Sequence, residues 1–275
     1  MTASLPRRPG PVSRVRVVEL REGAPLLHED RLAVEEPLEI RLQAPGLPAR
    51  RQGITMRTPG HDFELAAGWL VHEGIVAPDD IEAVRYCTDD DLAPDQEFNV
   101  VTVGLARPPL RLPESHMVSS ACGVCGADSI AAVHPVRPPA EVRLSLGQVR
   151  ELPARMRAQQ QGFDRTGGLH AAGLFHATGA PVVVREDVGR HNAVDKAVGS
   201  RILAQEAVPP VLVLSGRIAF ELVQKAATSG ITMVVAVGAP TSLAVDLARE
   251  AGLTLVGFTR PDRCVVYAGE HRLGV

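Results

Sequence analysis

Residues 211–257, VLVLSGRIAF ELVQKAATSG ITMVVAVGAP TSLAVDLARE AGLTLVG, alternate two kinds of segment. Runs of Val, Ile and Leu at 211–214, 231–237 and 253–257 lack polar alternation, as strands buried on both faces do. Between them, 217–228 and 241–251 carry apolar residues at helical spacing, and Gly252 ends the second. Strand and helix in that order predict an α/β fold with a mixed, largely parallel sheet covered on both faces. Working outward, the pattern predicts a helix over 192–204. Before it lies a hairpin of His170–Ala177 and Pro181–Arg185 that turns at Thr178-Gly179-Ala180. Ser145-Leu146-Gly147-Gln148 has capping-box spacing, and Val149, Leu152 and Met156 continue it as a helix. Pro153 is expected to kink or divide that helix. Cys264–Tyr267 reads as one more strand.

The first half is α+β in pattern. Val15–Arg21 and Glu36–Leu42 alternate as half-buried strands do, and Gly53–Arg57 is a third extended stretch. Thr58-Pro59-Gly60 opens a helix on which Phe63, Ala66, Ala67 and Leu70 share a face, Trp69 packs in the core, and Gly74 ends the run. Glu82–Cys87 and Glu97–Leu105 are further strands, with Asp89, Asp90 and Asp91 a solvated turn between them. Residues 106–118 carry three prolines and no period, hence a loop; Pro135–Pro139 reads as a linker. The expected division is a disordered tail over 1–14, a smaller α+β domain over 15–140, and an α/β domain over 141–275.

A chain of 275 residues with 45% hydrophobic and 22% charged residues has the composition of a globular protein with a large core. A net charge of -3 argues against a general nucleic-acid-binding surface. Four cysteines in this length exclude a secreted disulfide scaffold, and Cys87 and Cys264 read as small buried hydrophobes. No apolar run reaches the roughly 20 residues that span a bilayer, and residues 1–14 lack the apolar core of a secretory signal. The expected location is the reducing cytoplasm.

In an open α/β sheet, ligands bind beyond the carboxyl ends of the strands. The loops there hold Glu186-Asp187-Val188-Gly189-Arg190-His191-Asn192, Ser215-Gly216-Arg217, Gly238-Ala239-Pro240-Thr241-Ser242 and Phe258-Thr259-Arg260-Pro261-Asp262-Arg263. Arg190, His191, Lys196, Arg217, Arg260 and Arg263 supply cationic donors. Gly189 and Gly216 let backbone amides approach, and helix starts at Asn192, Arg217 and Thr241 add dipole ends. A phosphate or pyrophosphate fits this set, because guanidinium groups bond two oxygens at once. Asp187 and Asp195 are placed to meet a base edge or sugar hydroxyl, and Phe258 to stack on a base. Neither Gly-x-Gly-x-x-Gly nor the P-loop pattern occurs. Thr166-Gly167-Gly168-Leu169-His170 is a second polar cluster, in which a histidine at a strand start is more often structural than functional.

Ser120-Ala121-Cys122-Gly123-Val124-Cys125-Gly126 places two thiols on a glycine-flanked stretch after the proline-rich loop. Disulfide chemistry, half of a metal site and sulfur transfer are its three uses. No second Cys-x-x-Cys exists to complete a closed zinc site. A zinc deaminase places His-x-Glu and Pro-Cys-x-x-Cys at successive helix starts, where this chain has His191-Asn192-Ala193 and Ser215-Gly216-Arg217-Ile218. A rigid thioredoxin-type pair opens a helix after a strand, unlike this one. A mobile thiol suits a carrier, with Cys122 attacking a donor persulfide and Cys125 assisting its release, but on chemistry alone a redox role competes with it.

With these residues laid out, the chain resembles the formate dehydrogenase accessory sulfurtransferase family, FdhD, from about Val15 onward. The resemblance rests on Met56-Arg57-Thr58-Pro59-Gly60, the Cys122–Cys125 segment, Thr166–Ala172, Arg185–Lys196, Ser215-Gly216-Arg217 and Gly257-Phe258-Thr259-Arg260. It implies a cytoplasmic sulfurtransferase that takes persulfide sulfur from a cysteine desulfurase on Cys122, with Cys125 as partner. The sulfur then passes to the molybdenum cofactor in its bis-molybdopterin guanine dinucleotide form, for formate dehydrogenase. It also implies a homodimer and a cytidine-deaminase-like three-layer C-terminal domain without zinc. The arginine- and proline-rich tail departs from that pattern. A reading from another class is a non-catalytic chaperone that binds the molybdenum cofactor and docks the target enzyme.

Overall fold

The computed structural model describes residues 10–88, 92–93, 96–110 and 141–274. The Asp89–Asp91 turn, the Cys122–Cys125 segment, the proline linker and the first nine residues lie outside these. The chain opens with β1 (Val12–Glu19) and β2 (Leu26–Ala33), an antiparallel ribbon in register from Val12↔Ala33 to Glu19↔Leu26. The strand thus starts inside the expected tail, because Val12, Ser13 and Arg14 gain ladder partners on β2. Sequence did not reveal β2: neither of its faces is buried, so LLHEDRLA carries no alternation.

A four-stranded sheet follows, in the order β4-β3-β6-β5. Its strands are β3 (Glu36–Gln43), β4 (Arg50–Arg57), β5 (Ile81–Tyr86) and β6 (Val100–Leu105). Leu38, Ile40 and Leu42 alternate inward and meet Leu65, Trp69 and Leu70 of α1 (Asp62–His72), forming one core. Gly74, at φ 65°, turns the chain out of that helix.

The second body begins with α2 (Leu146–Arg157). Gln148 N–H donates to Ser145 Oγ at 3.2 Å, and the Gln148 side chain accepts from Ser145 N–H at 2.9 Å, completing the capping box. Pro153 lies inside this helix without ending it. A six-residue helix, α3 (Gln161–Thr166), follows; it is too short to show a period. Next come β7 (His170–Phe175) and β8 (Pro181–Asp187), α4 (Arg190–Leu203), β9 (Val211–Leu214), α5 (Phe220–Thr228), β10 (Met233–Ala236), α6 (Ser242–Glu250), β11 (Thr254–Gly257) and β12 (Val265–Ala268). Their sheet order is β12-β11-β10-β9-β7-β8.

That sheet is mixed rather than largely parallel. Only β9–β10 and β10–β11 pair parallel; the hairpin strand β7 and the returning β12 add the antiparallel pairs. One core lies between the sheet and α4, α5 and α6, and another on the α2 side. Helix α5 starts three residues later than expected. Ile218 forms a bridge to Pro240, its N–H donating to Ala239 O at 2.9 Å, so Arg217 lies ahead of the helix rather than at its dipole end. Among the described residues no helix is long and apolar enough to cross a membrane.

Candidate functional site

Strand β7 runs antiparallel to both β8 and β9, so β8, β9, β10 and β11 point the same way. Their carboxyl ends, and the loops the sequence singled out, therefore share one edge of the sheet. Gly167–His170 joins them there as the approach to β7. Backbone contacts sew the loops together beyond the strands. Gly238 N–H donates to Gly216 O, and Phe258 N–H donates to Gly238 O, each at 3.1 Å. A Cβ on Gly238 would stand 2.5 Å from Gly216 O, so this crossing requires glycine.

Between that edge and helices α2 and α3 lies a cleft of about 640 Å³. Leu169, His170, Ser215, Val237 and Thr259 come from the sheet edge, Arg150, Met156 and Arg157 from α2, and Phe163 and Gly168 from around α3. An apolar trough with a few polar groups and arginines at its walls is the usual form of a small-molecule site. Arg157 also packs over the Phe163 ring, 4.8 Å from its centroid, and α3 is anchored by Glu186. That carboxylate accepts from Gly162 N–H at 2.7 Å and Phe163 N–H at 2.8 Å.

The sequence-derived residues divide into two groups. Ser215, Thr259, Arg260 and Pro261 line the cleft. Arg260 Nη1 donates to Val237 O at 2.9 Å and Thr259 O at 2.8 Å, clamping its loop, while Arg150 Nη1 reaches Asp262 O at 3.1 Å. Phe258, at φ 49°, and Arg263 are both exposed. Arg190 and Arg217 make no hydrogen bond or ion pair among the described residues, and Arg190 Nε is buried without an acceptor.

Asp187, Asp195 and Lys196 correct the expectation that they face a ligand. All three are buried and ion-paired from within, although Asp195 Oδ2 has no hydrogen-bond partner among the described residues. Asp187 pairs with Lys196 at 2.6 Å and accepts from Thr58 N–H, Gly189 N–H and Asn192 Nδ2. Lys196 Nζ also donates to Thr58 O at 2.8 Å. Asp195 accepts from Lys225 at 2.7 Å and lies 2.5 Å from His72 Nδ1. These charges join α4 to the first body instead of lining the edge. Gly189 caps α4, and His191 faces Glu221 of α5 at 3.8 Å.

A profile of the FdhD/NarQ family matches residues 33–274. The chain belongs to the FdhD/NarQ family. A relative from Streptomyces avermitilis named sulfur carrier protein FdhD is 48% identical over 277 residues, covering 95% of each chain. One of the same name from Nocardia farcinica is 46% identical over 271 residues, covering 95% of this chain and 94% of its own. The crystal structure of a candidate formate dehydrogenase accessory protein from Desulfotalea psychrophila is 25% identical with a TM-score of 0.75, covering 95% of this chain and 99% of that one.

In this FdhD/NarQ chain, sequence reasoning missed the α2 wall and favoured a structural over a functional role for His170, which lines the cleft. The signal for the wall was present: Arg150, Pro153, Ala154 and Arg157 recur at three- and four-residue spacing, beside the core stripe of Val149, Leu152 and Met156. For His170 the only signal was the glycine pair before it. Its imidazole lies against Gly216, where an added Cβ would stand 3.2 Å from Nδ1. Burial first, then Arg190 and Arg217, push its pKa below the usual histidine range, with Asp187 opposing.

Proposed function

We propose that this protein is a cytoplasmic sulfurtransferase that activates formate dehydrogenase through its molybdenum cofactor. The thiolate of Cys122 attacks the outer sulfur of a cysteine desulfurase persulfide. The donor's S–S bond breaks, the donor leaves as a thiolate, and Cys122 holds the sulfur as its own persulfide, with Cys125 as partner thiol. The acceptor is bis-molybdopterin guanine dinucleotide, bound as substrate; neither zinc nor another resident cofactor enters the scheme. The observation that carries this reading is the sheet edge with its cleft and unpaired arginines, in a family whose relatives are named sulfur carriers. Phosphates belong with Arg190 and Arg217 beside Ser215 and Gly216, and the exposed Phe258 ring offers a face to the guanine.

The C-terminal body fits a cytidine-deaminase-like fold on the order of its elements: helix α2, a hairpin, then alternating helices and strands. The functional unit of this proposal is a homodimer.

The test is sulfur loading. The protein is incubated with a cysteine desulfurase and isotopically labelled cysteine and analysed by mass spectrometry before and after reduction. The expected result is one reducible added sulfur, lost in Cys122→Ala. Equal loading of Cys122→Ala and the parent sinks the assignment of the carrier. No loading of any form, with cofactor binding intact, would leave the chaperone reading in its place.

A further inference from the structure

Several side chains among the described residues at the head of the sheet lack a partner, the buried Thr259 Oγ1 among them. Among the described residues, Arg190 at the start of α4, Arg217 after β9 and the imidazole of His170 at the start of β7 make no hydrogen bond or ion pair, although Arg190 Nε is buried. A buried guanidinium nitrogen without an acceptor is costly, so its persistence marks a place where an acceptor arrives from outside. The charges around His170 are almost all of one sign. Arg190 and Arg217 act on it directly. Arg150 and Arg157 of α2, and Arg260 after β11, line the same cleft. Asp187 is paired opposite it across β7 and β8, yet that carboxylate already serves Lys196 and three further donors. Glu186, the next carboxylate, is taken up by the amides of α3. The imidazole is thus held neutral in a positive corner and has no anion of its own to protonate against.

We infer that a phosphate-class dianion and a proton bind this corner together, the anion between Arg190 and Arg217 and the proton, drawn from solvent, on His170, which then donates to the anion. The inference rests on the reading of this edge as an anion site and adds a ligand group to it. The physical cause is linkage. An anion cancels the field of both arginines at the imidazole and adds an opposite charge beside it, so the protonated form that was disfavoured becomes favoured. By reciprocity the anion binds more tightly as the pH falls.

Sulfate is the probe, because it is a dianion that does not titrate near neutrality. Histidine side-chain NMR of the whole chain is followed from about pH 5 to about pH 9, with and without saturating sulfate at constant ionic strength. His170→Gln assigns the His170 signal. If that variant fails to fold, through-bond correlation from Leu169 and Ala171 assigns it in the parent. The expected result is that sulfate raises the His170 titration midpoint and binds about tenfold more tightly at about pH 6 than at about pH 8. In His170→Gln that pH dependence flattens, and in Arg217→Ala the sulfate-induced rise shrinks. Sulfate-dependent shifts at the Gly189 and Gly216 amides with an unchanged His170 midpoint overturn the inference and leave the anion edge standing. No sulfate-dependent shift at those amides overturns both.

Discussion

At Gly68 a methyl group has nowhere to go. A Cβ there would stand 2.0 Å from Asp195 O, and one on Gly199 would stand 1.8 Å from Glu64 O. Helices α1 and α4 therefore touch backbone to backbone, through glycines spaced four residues from Glu64 and Asp195. This contact explains why Asp195 and Lys196 lie away from the cleft: they stand on the helix face that meets the first body. In sequence, charges near a helix start look solvent-facing, and nothing local indicates that a second helix covers them. Gly68→Ala should destabilise the chain by about 3 kcal/mol, although alanine is the better helix former, because the obstruction is backbone rather than a movable side chain. Gly147→Ala, on an exposed turn of α2 where the nearest atom is 3.8 Å away, should stay within about 0.5 kcal/mol of the parent. Urea unfolding of both variants is the measurement, and equal effects would contradict the close crossing.

At the scale of elements, the wall of the cleft depends on one carboxylate. Helix α3 has only six residues and no side-chain cap from its own N-terminus, so it draws its first amides' acceptor from Glu186 on β8. Its packing is tight there: a Cβ on Gly162 would meet Leu169 Cδ1 at 2.6 Å. Glu186→Ala should cost about 1–2 kcal/mol. The loss should be local: hydrogen exchange should speed up over residues 161–168 while the amides of β9 and β10 keep their protection. Uniform loss of protection would mean that the carboxylate supports the whole body instead. Helix α3 also marks where sequence stops being informative. Buried runs such as 211–214 declare their strands because both faces need apolar residues, and the loops after them were legible as an edge for the same reason. A six-residue helix and an exposed ribbon such as β1–β2 have no buried stripe to write a period. The hairpin start, rather than a continued βαβ order, made the sheet mixed. The cleft itself arises from α2 and α3 folding over the edge, so Arg150 and Arg157 were legible as belonging to a helix but not as its lining, and Phe163 as neither.

Across the whole molecule, the two bodies are joined by charges whose ionisation folding has fixed, and this sets how stability responds to acid. Arg185 bridges to Glu64 at 2.5 and 2.8 Å, from β8 to α1. Burial alone would raise the Glu64 pKa, but Arg185 and His61 more than offset it and hold the carboxyl at about 2. Asp195 is likewise held low: burial opposes ionisation, but Lys225 and His72 prevail. His72 is pushed down by burial first, against Asp195 and with Lys225. Its contacts fit the neutral tautomer, with Nδ1–H donating to Asp195 and Nε2 accepting from Ser229 Oγ at 2.8 Å. His191 is also pushed down, by burial, Lys225 and Arg190. The signs then follow from which state binds more protons. A histidine whose folded pKa lies below the unfolded value of 6.5 makes the unfolded chain the better proton acceptor, so stability falls as the pH drops below 6.5. A carboxylate held down contributes stability above the ordinary value of 4.5 that is lost as the pH falls from there towards about 2. The melting temperature should therefore be level from about pH 7 to about pH 8, decline below about pH 6.5, and decline further below about pH 4.5. His72→Gln should soften the first decline and Glu64→Gln the second, each at the cost of a lower plateau. Scanning calorimetry across this range is the measurement. A melting temperature that rises between about pH 7 and about pH 5 would mean that the joint is held by protonated rather than neutral histidines.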